Sequence, residues 1–380
     1  MEPTSIIRID GKEYEFVSGD TILDAARRNG IDIPTLCYMK GASPTGACRI
    51  CLVEVEGART LVASCVMPAA PKMVVKTQTD RVLNARRMNL EMLIASGHHN
   101  CLVQDLDMDT WVDFQLRSMA SAEHREICPA YGDCRLQELA IKYQVRGNRF
   151  EPREPRYPIE NVNPLIVRDL SRCILCGRCV QACNEIQVNN AISYGYRGSI
   201  SKIVAKGDRA LKDSDCVFCG ECVQACPVGA LITTADLEAK GHAKGETKLV
   251  RTTCSYCGVG CQMYLHVRDG RVEKVTGIEG LGPNYGSLCV KGRFGYDFIH
   301  DPERLKTPLI RANGGGFREA TWDEALGLVA GRLGEIKKES GPDSIGILSS
   351  ARITNEENYL AQKLARAVIG TNNVDHCARL

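Results

Sequence analysis

The 380-residue chain carries 48 Lys and Arg against 46 Asp and Glu, a formal net charge of +2, with 44% hydrophobic and 25% charged residues. This is the composition of a soluble globular protein of two to four modules, without the basic surface of a nucleic-acid binder. No run approaches the roughly 18 apolar residues of a membrane span, and the start, MEPTSIIRIDGKEYEF, has no basic and then apolar leader, so a cytoplasmic location is expected. Cysteine is the outlier: nineteen of the 20 fall into five tight groups, in a chain too long for a disulfide scaffold, which points to metal in a reducing compartment.

In chain order, IIRIDGKEYEFV alternates around Asp10-Gly11 and predicts a hairpin. DTILDAARRNG predicts a helix with Asp20 at its N-cap and Gly30 closing it. Cys37, Cys48, Cys51 and Cys65 follow as C-x10-C-x2-C-x13-C in a loop with several glycines. Four thiolates suit a [2Fe–2S] cluster, and the long first gap is unlike the short knuckles of zinc. The spacing resembles the N-terminal domain of the complex I large iron–sulfur subunit, iron hydrogenases and NAD-linked formate dehydrogenases, and implies a β-grasp ferredoxin domain over 1–79.

DRVLNARRMNLEMLIASG predicts a helix ending at Gly97, followed by HHNC and later by C-x5-C at Cys128 and Cys134. In the same families this place holds a [4Fe–4S] cluster on one histidine and three cysteines. The resemblance implies His98, with His99 as the alternative, and Cys101, Cys128 and Cys134 in a domain over 80–145. Twenty-six residues separate Cys101 from Cys128 where the family has two. Loops absorb added length cheaply, so 102–127 is read as an insertion. A lost cluster with buried thiols is the other reading, and LVQDLDMDTWVDFQL within the insertion is a candidate partner contact beside the plainer reading of a solvated loop.

RYPIENVNPL reads as a connector. Cys173, Cys176, Cys179 and Cys183 then form C-x2-C-x2-C-x3-C, and Cys216, Cys219, Cys222 and Cys226 repeat it, with Pro227 behind the second run and Asn184 behind the first. A bacterial-type ferredoxin sends the fourth cysteine of each run to the other cluster. The expected sets are therefore Cys173, Cys176, Cys179 and Cys226, and Cys216, Cys219, Cys222 and Cys183, in a domain over 146–240.

Cys254, Cys257, Cys261 and Cys289 give C-x2-C-x3-C-x27-C around a hairpin signal at Asp269-Gly270. By metal chemistry alone this is a four-thiolate site, iron–sulfur or zinc ribbon. CSYCGVGC and LCVKGRFGYDFIHDPERLKTPLIR resemble the N-terminal [4Fe–4S] domain of molybdenum- or tungsten-bis-pterin oxidoreductases, here 247–305. That resemblance implies that Lys291 lies between cluster and pterin and assists electron passage; a surface lysine is the plainer reading. Over 306–380, Asn313-Gly-Gly-Gly predicts a hairpin, TWDEALGLVAGRLGEIKKES an amphipathic helix with a Thr321/Glu324 capping box, SIGILSS a buried strand, and TNEENYLAQKLARAVIG a second capped helix starting at Thr354 and Glu357. This is the start of an open α/β body, where ligands sit beyond the strand ends; Ser349 and Ser350 lie there, equally explained as loop polarity.

The expected fold class is thus α+β and multidomain: β-grasp [2Fe–2S], His/Cys3 [4Fe–4S], two-cluster ferredoxin, then a bis-pterin-type [4Fe–4S] domain and the start of an α/β body. In module order the chain is similar to the selenocysteine-type catalytic subunit of NAD(P)-linked formate dehydrogenases. In that branch a stretch like NNVDHCARL is followed at once by the metal-ligating selenocysteine or cysteine. The chain is therefore expected to stop at Leu380, one residue short of that catalytic ligand, at a codon otherwise read as stop. Cys377 is expected to be a packed thiol. The resemblance implies one [2Fe–2S] and four [4Fe–4S] clusters, a Mo or W bis-molybdopterin guanine dinucleotide in the whole subunit, formate and carbon dioxide as substrates, and a hetero-oligomer. A flavin/NAD(P)-binding diaphorase, a hydrogenase subunit or a ferredoxin would be the partner. The alternative is a stand-alone electron relay in a hydrogenase or NADH-oxidoreductase complex. No nucleic-acid partner is expected.

Overall fold

The alternation around Asp10-Gly11 folds as a hairpin. Strands β1 (Thr4–Ile9) and β2 (Lys12–Val17) pair antiparallel, and both turn residues take positive φ, 48° and 84°. The computed structural model describes residues 4–97, 99, 128–130, 132–145, 149–151, 153–154, 156–238 and 247–377, in two units, 1–247 and 248–380. In the first unit, β3 (Leu52–Val55), β4 (Val62–Ala63) and β5 (Val74–Lys76) complete a sheet in the order β2-β1-β5-β3-β4, with β1 and β5 parallel. Helix α1 (Ile22–Arg28) lays Ile22, Leu23, Ala25 and Ala26 onto Ile7, Ile9, Phe16 and Val53. Its N-cap is Thr21 rather than Asp20: the Thr21 hydroxyl accepts from Asp24 N–H and Asp24 returns the bond. Asp20 instead accepts from Val17 N–H and pairs with Arg28.

Helix α2 (Asp80–Ala95) starts at the Thr79 cap and packs on α3 (Arg135–Lys142). The tie to the β-grasp sheet is Arg86, which is wholly buried. It donates to Leu52 O at 2.9 Å and Tyr143 Oη at 3.1 Å.

The ferredoxin domain is closed by β6 (Ile166–Arg168) pairing antiparallel with β9 (Leu231–Thr233), while β7 (Ile192–Gly195) and β8 (Lys202–Ala205) form a hairpin between the two cysteine runs. Each run feeds a short helix, α4 (Arg178–Gln181) and α5 (Glu221–Ala225). The duplication seen in the sequence is repeated in the backbone: Leu175 and Phe218 both have φ 53°, and Gly177 and Gly220 have φ 80° and 74°. The segment read as a connector is part of this fold. Glu160 bridges to Arg168, and Asn163 is buried with its side-chain oxygen accepting from Leu165 and Ile166 N–H. Helix α6 (Thr234–Glu238) follows β9.

In the second unit, β10 (Lys248–Thr253), β11 (Gln262–Arg268) and β12 (Arg271–Gly277) make an antiparallel sheet turning at Asp269-Gly270, and α7 (Val290–Phe294) packs on β12. Strands β13 (Leu309–Arg311) and β14 (Phe317–Glu319) flank the glycine turn as expected. Helix α8 (Trp322–Ser340) has only half the expected capping box. Thr321 accepts from Glu324 N–H, but the Glu324 carboxylate is taken by Arg318. Helix α9 (Asn355–Lys363) has both arms of its box through Thr354 and Glu357. The strand expected to be buried, β15 (Ile347–Ser349), is not: it pairs in parallel with β16 (Val374–His376), and Leu348 is 89% exposed. The reason is local. A strand is buried only when something covers its faces, and among the described residues nothing covers Leu348, nor does α8 bury any residue.

The end of β12 meets the cysteine loop directly. A Cβ at Gly277 would lie 1.8 Å from Gly286 O. Gly277→Ala is expected to push the 286–289 segment away, costing about 1–3 kcal/mol as overpacking does. Hydrogen exchange over 271–289 should then speed up, and unchanged exchange would show that the two backbones do not touch.

Candidate iron–sulfur sites

In the β-grasp domain Cys37, Cys48, Cys51 and Cys65 are all buried, at the inner ends of the loop between α1 and β3 and of β4. Cys51 Sγ lies 3.3 Å from Cys65 Sγ, and Cys48 N–H donates to Cys37 Sγ at 3.5 Å. Thiols from Cys48 and Cys65 facing Cys37 hold its pKa far below the ordinary range, while Cys48 and Cys65 are pushed up. The Cys65 thiol likewise pulls Cys51 down. A pocket that crowds four sulfurs can keep only part of them ionised unless a cation joins them. Iron supplies that charge, and soft thiolates are the donors it takes. The residues therefore fit a two-iron cluster. When bound, such a group supplies one-electron transfer.

In the ferredoxin domain a cavity of about 540 Å3, open mouth included, is lined by Cys173, Cys176, Cys179, Cys222 and Cys226. The fold thus brings three cysteines of one run and two of the other to a single apolar chamber, walled by Ile174, Ile192, Ile203, Leu211 and Leu231. Burial pushes Cys173 up to about 11 and raises the Cys176, Cys179 and Cys222 thiols as well. The left-handed turns then aim amides at sulfur: Leu175 N–H donates to Cys173 and Phe218 N–H to Cys216, both at 3.4 Å, and Ala191 N–H to Cys183 at 3.3 Å. Such donors stabilise a thiolate that the apolar wall would otherwise penalise. Cys219 belongs to the second run and is half-buried.

Of the second group, Cys128 and Cys134 are buried, and both touch the ferredoxin domain. Arg172 donates to Cys128 Sγ at 3.2 Å, and Cys134 Sγ lies 3.6 Å from Pro227 O. The ring of His99 folds back over Gly97, where a Cβ would sit 2.7 Å from Nε2. His98, Cys101 and the insertion 102–127 lie outside the described residues. Arg172 itself was invisible as a site residue; its only mark in the sequence is its place just before Cys173.

In the second unit Cys254 is buried, Cys257 and Cys261 are half-buried, and Cys289 is exposed at the start of α7. Cys254 N–H bonds Cys261 O at 2.8 Å, closing the CSYCGVGC loop. Burial raises the Cys254 and Cys261 thiols. Asn355, the first residue of α9, donates to Gly258 O at 2.6 Å, so the α/β body holds the cysteine loop in place. Lys291 lies two residues beyond Cys289 on α7 and is exposed. Cys377, expected to be packed, is exposed beside Ser350 Oγ at 3.5 Å, which lowers its thiol pKa. The packing failed for the same reason as at Leu348: nothing among the described residues covers this end of the parallel pair. Leu380, the residue expected to precede the catalytic metal ligand, lies outside the described residues. Among the described residues no three Cys, His, Asp or Glu side chains converge as a single metal ion requires.

The [2Fe–2S] loop also docks on the ferredoxin. Ser43 N–H donates to Glu185 Oε2 at 2.7 Å and Ser43 O accepts from Gln181 Nε2, both on the helical stretch that carries Cys179 and Cys183. No local pattern in the sequence announced this clamp.

Four segments match known families in order. Residues 4–80 match a 2Fe-2S iron-sulfur cluster binding domain, and 172–230 a 4Fe-4S dicluster domain. Residues 247–301 match the Fe4S4 domain of molybdopterin oxidoreductases, and 304–380 the molybdopterin oxidoreductase family itself. The NADPH-Fe(3+) oxidoreductase subunit alpha of Geobacter sulfurreducens is 37% identical over 382 residues, covering 98% of this chain and 40% of that protein. A candidate formate dehydrogenase of Bacillus subtilis, YrhE, is 34% identical over 419 residues, covering 100% of this chain and 40% of that protein. The chain therefore spans about 40% of the length of these relatives. A chain from the crystal structure of an NAD+-reducing [NiFe]-hydrogenase is 33% identical with a TM-score of 0.51, covering 61% of this chain and 88% of that one.

Glu185→Ala is expected to free Ser43 N–H and speed its amide exchange about tenfold, as loss of a charge-assisted hydrogen bond would, with iron content unchanged. Exchange at the wild-type rate would show that the clamp does not hold the loop.

Proposed function

We propose that this chain, which belongs to the molybdopterin oxidoreductases and is their iron–sulfur electron-transfer portion, serves an enzyme that oxidises formate to carbon dioxide or runs the reverse. The observation that carries the reading is the order of the modules along one chain, shared at 34% identity with a protein named for formate dehydrogenase. Two electrons would leave a Mo or W bis-molybdopterin site past Lys291 and cross the Cys254, Cys257, Cys261 and Cys289 centre to the ferredoxin pair. From there they would pass to the Cys37, Cys48, Cys51 and Cys65 centre, and to the one that Cys128 and Cys134 share with His98 or His99 and Cys101. The chain's residues do the positioning. Amides of Leu175, Phe218 and Ala191 steady the sulfurs, and apolar walls keep water from the Cys173 chamber.

The finer assignment is the selenocysteine-type, NAD(P)-linked branch, on the resemblance of NNVDHCARL, with the catalytic ligand following Leu380. A cytoplasmic flavin- and NAD(P)-binding diaphorase, a hydrogenase subunit or a ferredoxin would be the partner. A second reading has one observation in its favour. The likeness to a chain of an NAD+-reducing hydrogenase fits a relay serving that kind of complex with no chemistry of its own.

Intact mass, selenium, molybdenum and tungsten assayed on one native preparation, with formate-dependent viologen reduction, separate the two. A polypeptide more than twice as long with about one Mo or W supports the formate reading; a 41.7-kDa chain with iron alone and no formate activity supports the relay. Cys226→Ala tests whether Cys226 is a cluster ligand: iron should fall by about four atoms per chain, one cubane's worth. Unchanged iron would return Cys226 to a structural role.

A further inference from the structure

The two-cluster domain contains a guanidinium that its hydrogen bonds do not account for. Arg168, the last residue of β6, is 5% exposed. Its Nη2 meets the Glu160 carboxylate and, at 3.3 Å, the carbonyl of Arg209. Its Nε and Nη1 are buried and bond to nothing. Desolvated N–H donors are costly unless an acceptor reaches them, and one carboxylate can serve only one side of the planar fork. Arg168 lines the same cavity as Cys173, Cys176, Cys179 and Cys226.

We propose that Arg168 is the internal countercharge of the two-cluster domain, its spare N–H donors and its charge favouring the reduced centres and so raising their potential. The inference rests on the reading that the two crossed cysteine sets hold [4Fe–4S] clusters. Reduction there adds one electron, and one unit of negative charge, with no bond made or broken. A fixed cation lining the same apolar cavity stabilises that added charge. Glu160 offsets part of the effect, so the pair sets the potential by the balance of its two charges. Glu160 is itself placed by accepting from Leu211 N–H at 3.0 Å.

The test is a redox titration of the anaerobically purified full protein, followed by electron paramagnetic resonance, for wild type, Arg168→Gln, Arg168→Lys and Glu160→Gln. Arg168→Gln should lower the midpoint of at least one ferredoxin-type signal by about tenfold in the reduced-to-oxidised ratio, roughly 59 mV for one electron. Arg168→Lys should keep most of the wild-type value. Glu160→Gln keeps an acceptor for Leu211 and should shift the midpoint upward. A merely structural pair would not move the two charge-removing variants in opposite directions. If Arg168→Gln fails to fold, the sign of the Glu160→Gln shift decides alone. Midpoints that stay put in every variant that folds, or that fall in Glu160→Gln, overturn the proposal. Wild-type protein with no ferredoxin-type [4Fe–4S] signal would overturn the cluster assignment, and the inference with it.

Discussion

Everything in this chain turns on bringing sulfur ligands out of water. A buried thiolate is penalised, and the high pKa of Cys176, Cys179 and Cys222 in an apolar wall expresses that cost. The fold answers with donors fixed before any metal arrives. Paired left-handed turns at Leu175 and Phe218 point amides at Cys173 and Cys216, and hairpin β7–β8 begins with an amide on Cys183. Where amides do not suffice, buried guanidinium groups are brought in: Arg172 on Cys128, and Arg168 beside the ferredoxin chamber.

The same constraint explains why the first unit is knit through residues next to cysteines. Arg86 ties α2 to Leu52, the neighbour of Cys51. Ser43 is clamped from Gln181 and Glu185, between and beyond Cys179 and Cys183. Cys134 lies on Pro227, the neighbour of Cys226. Electron transfer needs fixed spacing, and spacing is set most directly by bonds made one or two residues from the sulfurs themselves. These contacts make the [2Fe–2S] domain, the segment around Cys128 and Cys134, and the ferredoxin domain one compact unit.

The second unit has a different balance. Its three-stranded sheet and cysteine loop are held by Gly277 against Gly286, by Asn284 on Gln262 and by Asn355 on Gly258. Its α/β part leaves apolar side chains of α8 and α9 exposed, Trp322, Leu326, Val329, Tyr359 and Leu360 among them. An amphipathic stripe stabilises a helix only through what it packs against.

What the sequence determined by itself is local chemistry: which residues are cysteines and at what spacing, where Asp10-Gly11 and Asp269-Gly270 must turn, where Thr354 and Glu357 must cap, and which modules follow one another. These are short-range facts, decided by a side chain and its near neighbours. Tertiary structure decided the rest. Thr21 displaced Asp20 as a cap because Asp20 found Arg28, and Glu324 left its box for Arg318. A segment that reads as a connector became the Glu160 and Asn163 wall of the ferredoxin domain, and Leu348 stayed exposed in a strand whose pattern promised burial. Asp20 with Arg28, Glu324 with Arg318 and Glu160 with Arg168 are pairings eight, six and eight residues apart that the folded geometry selects from several candidates, and Leu348 depends on a covering layer; a sequence pattern does not rank those outcomes.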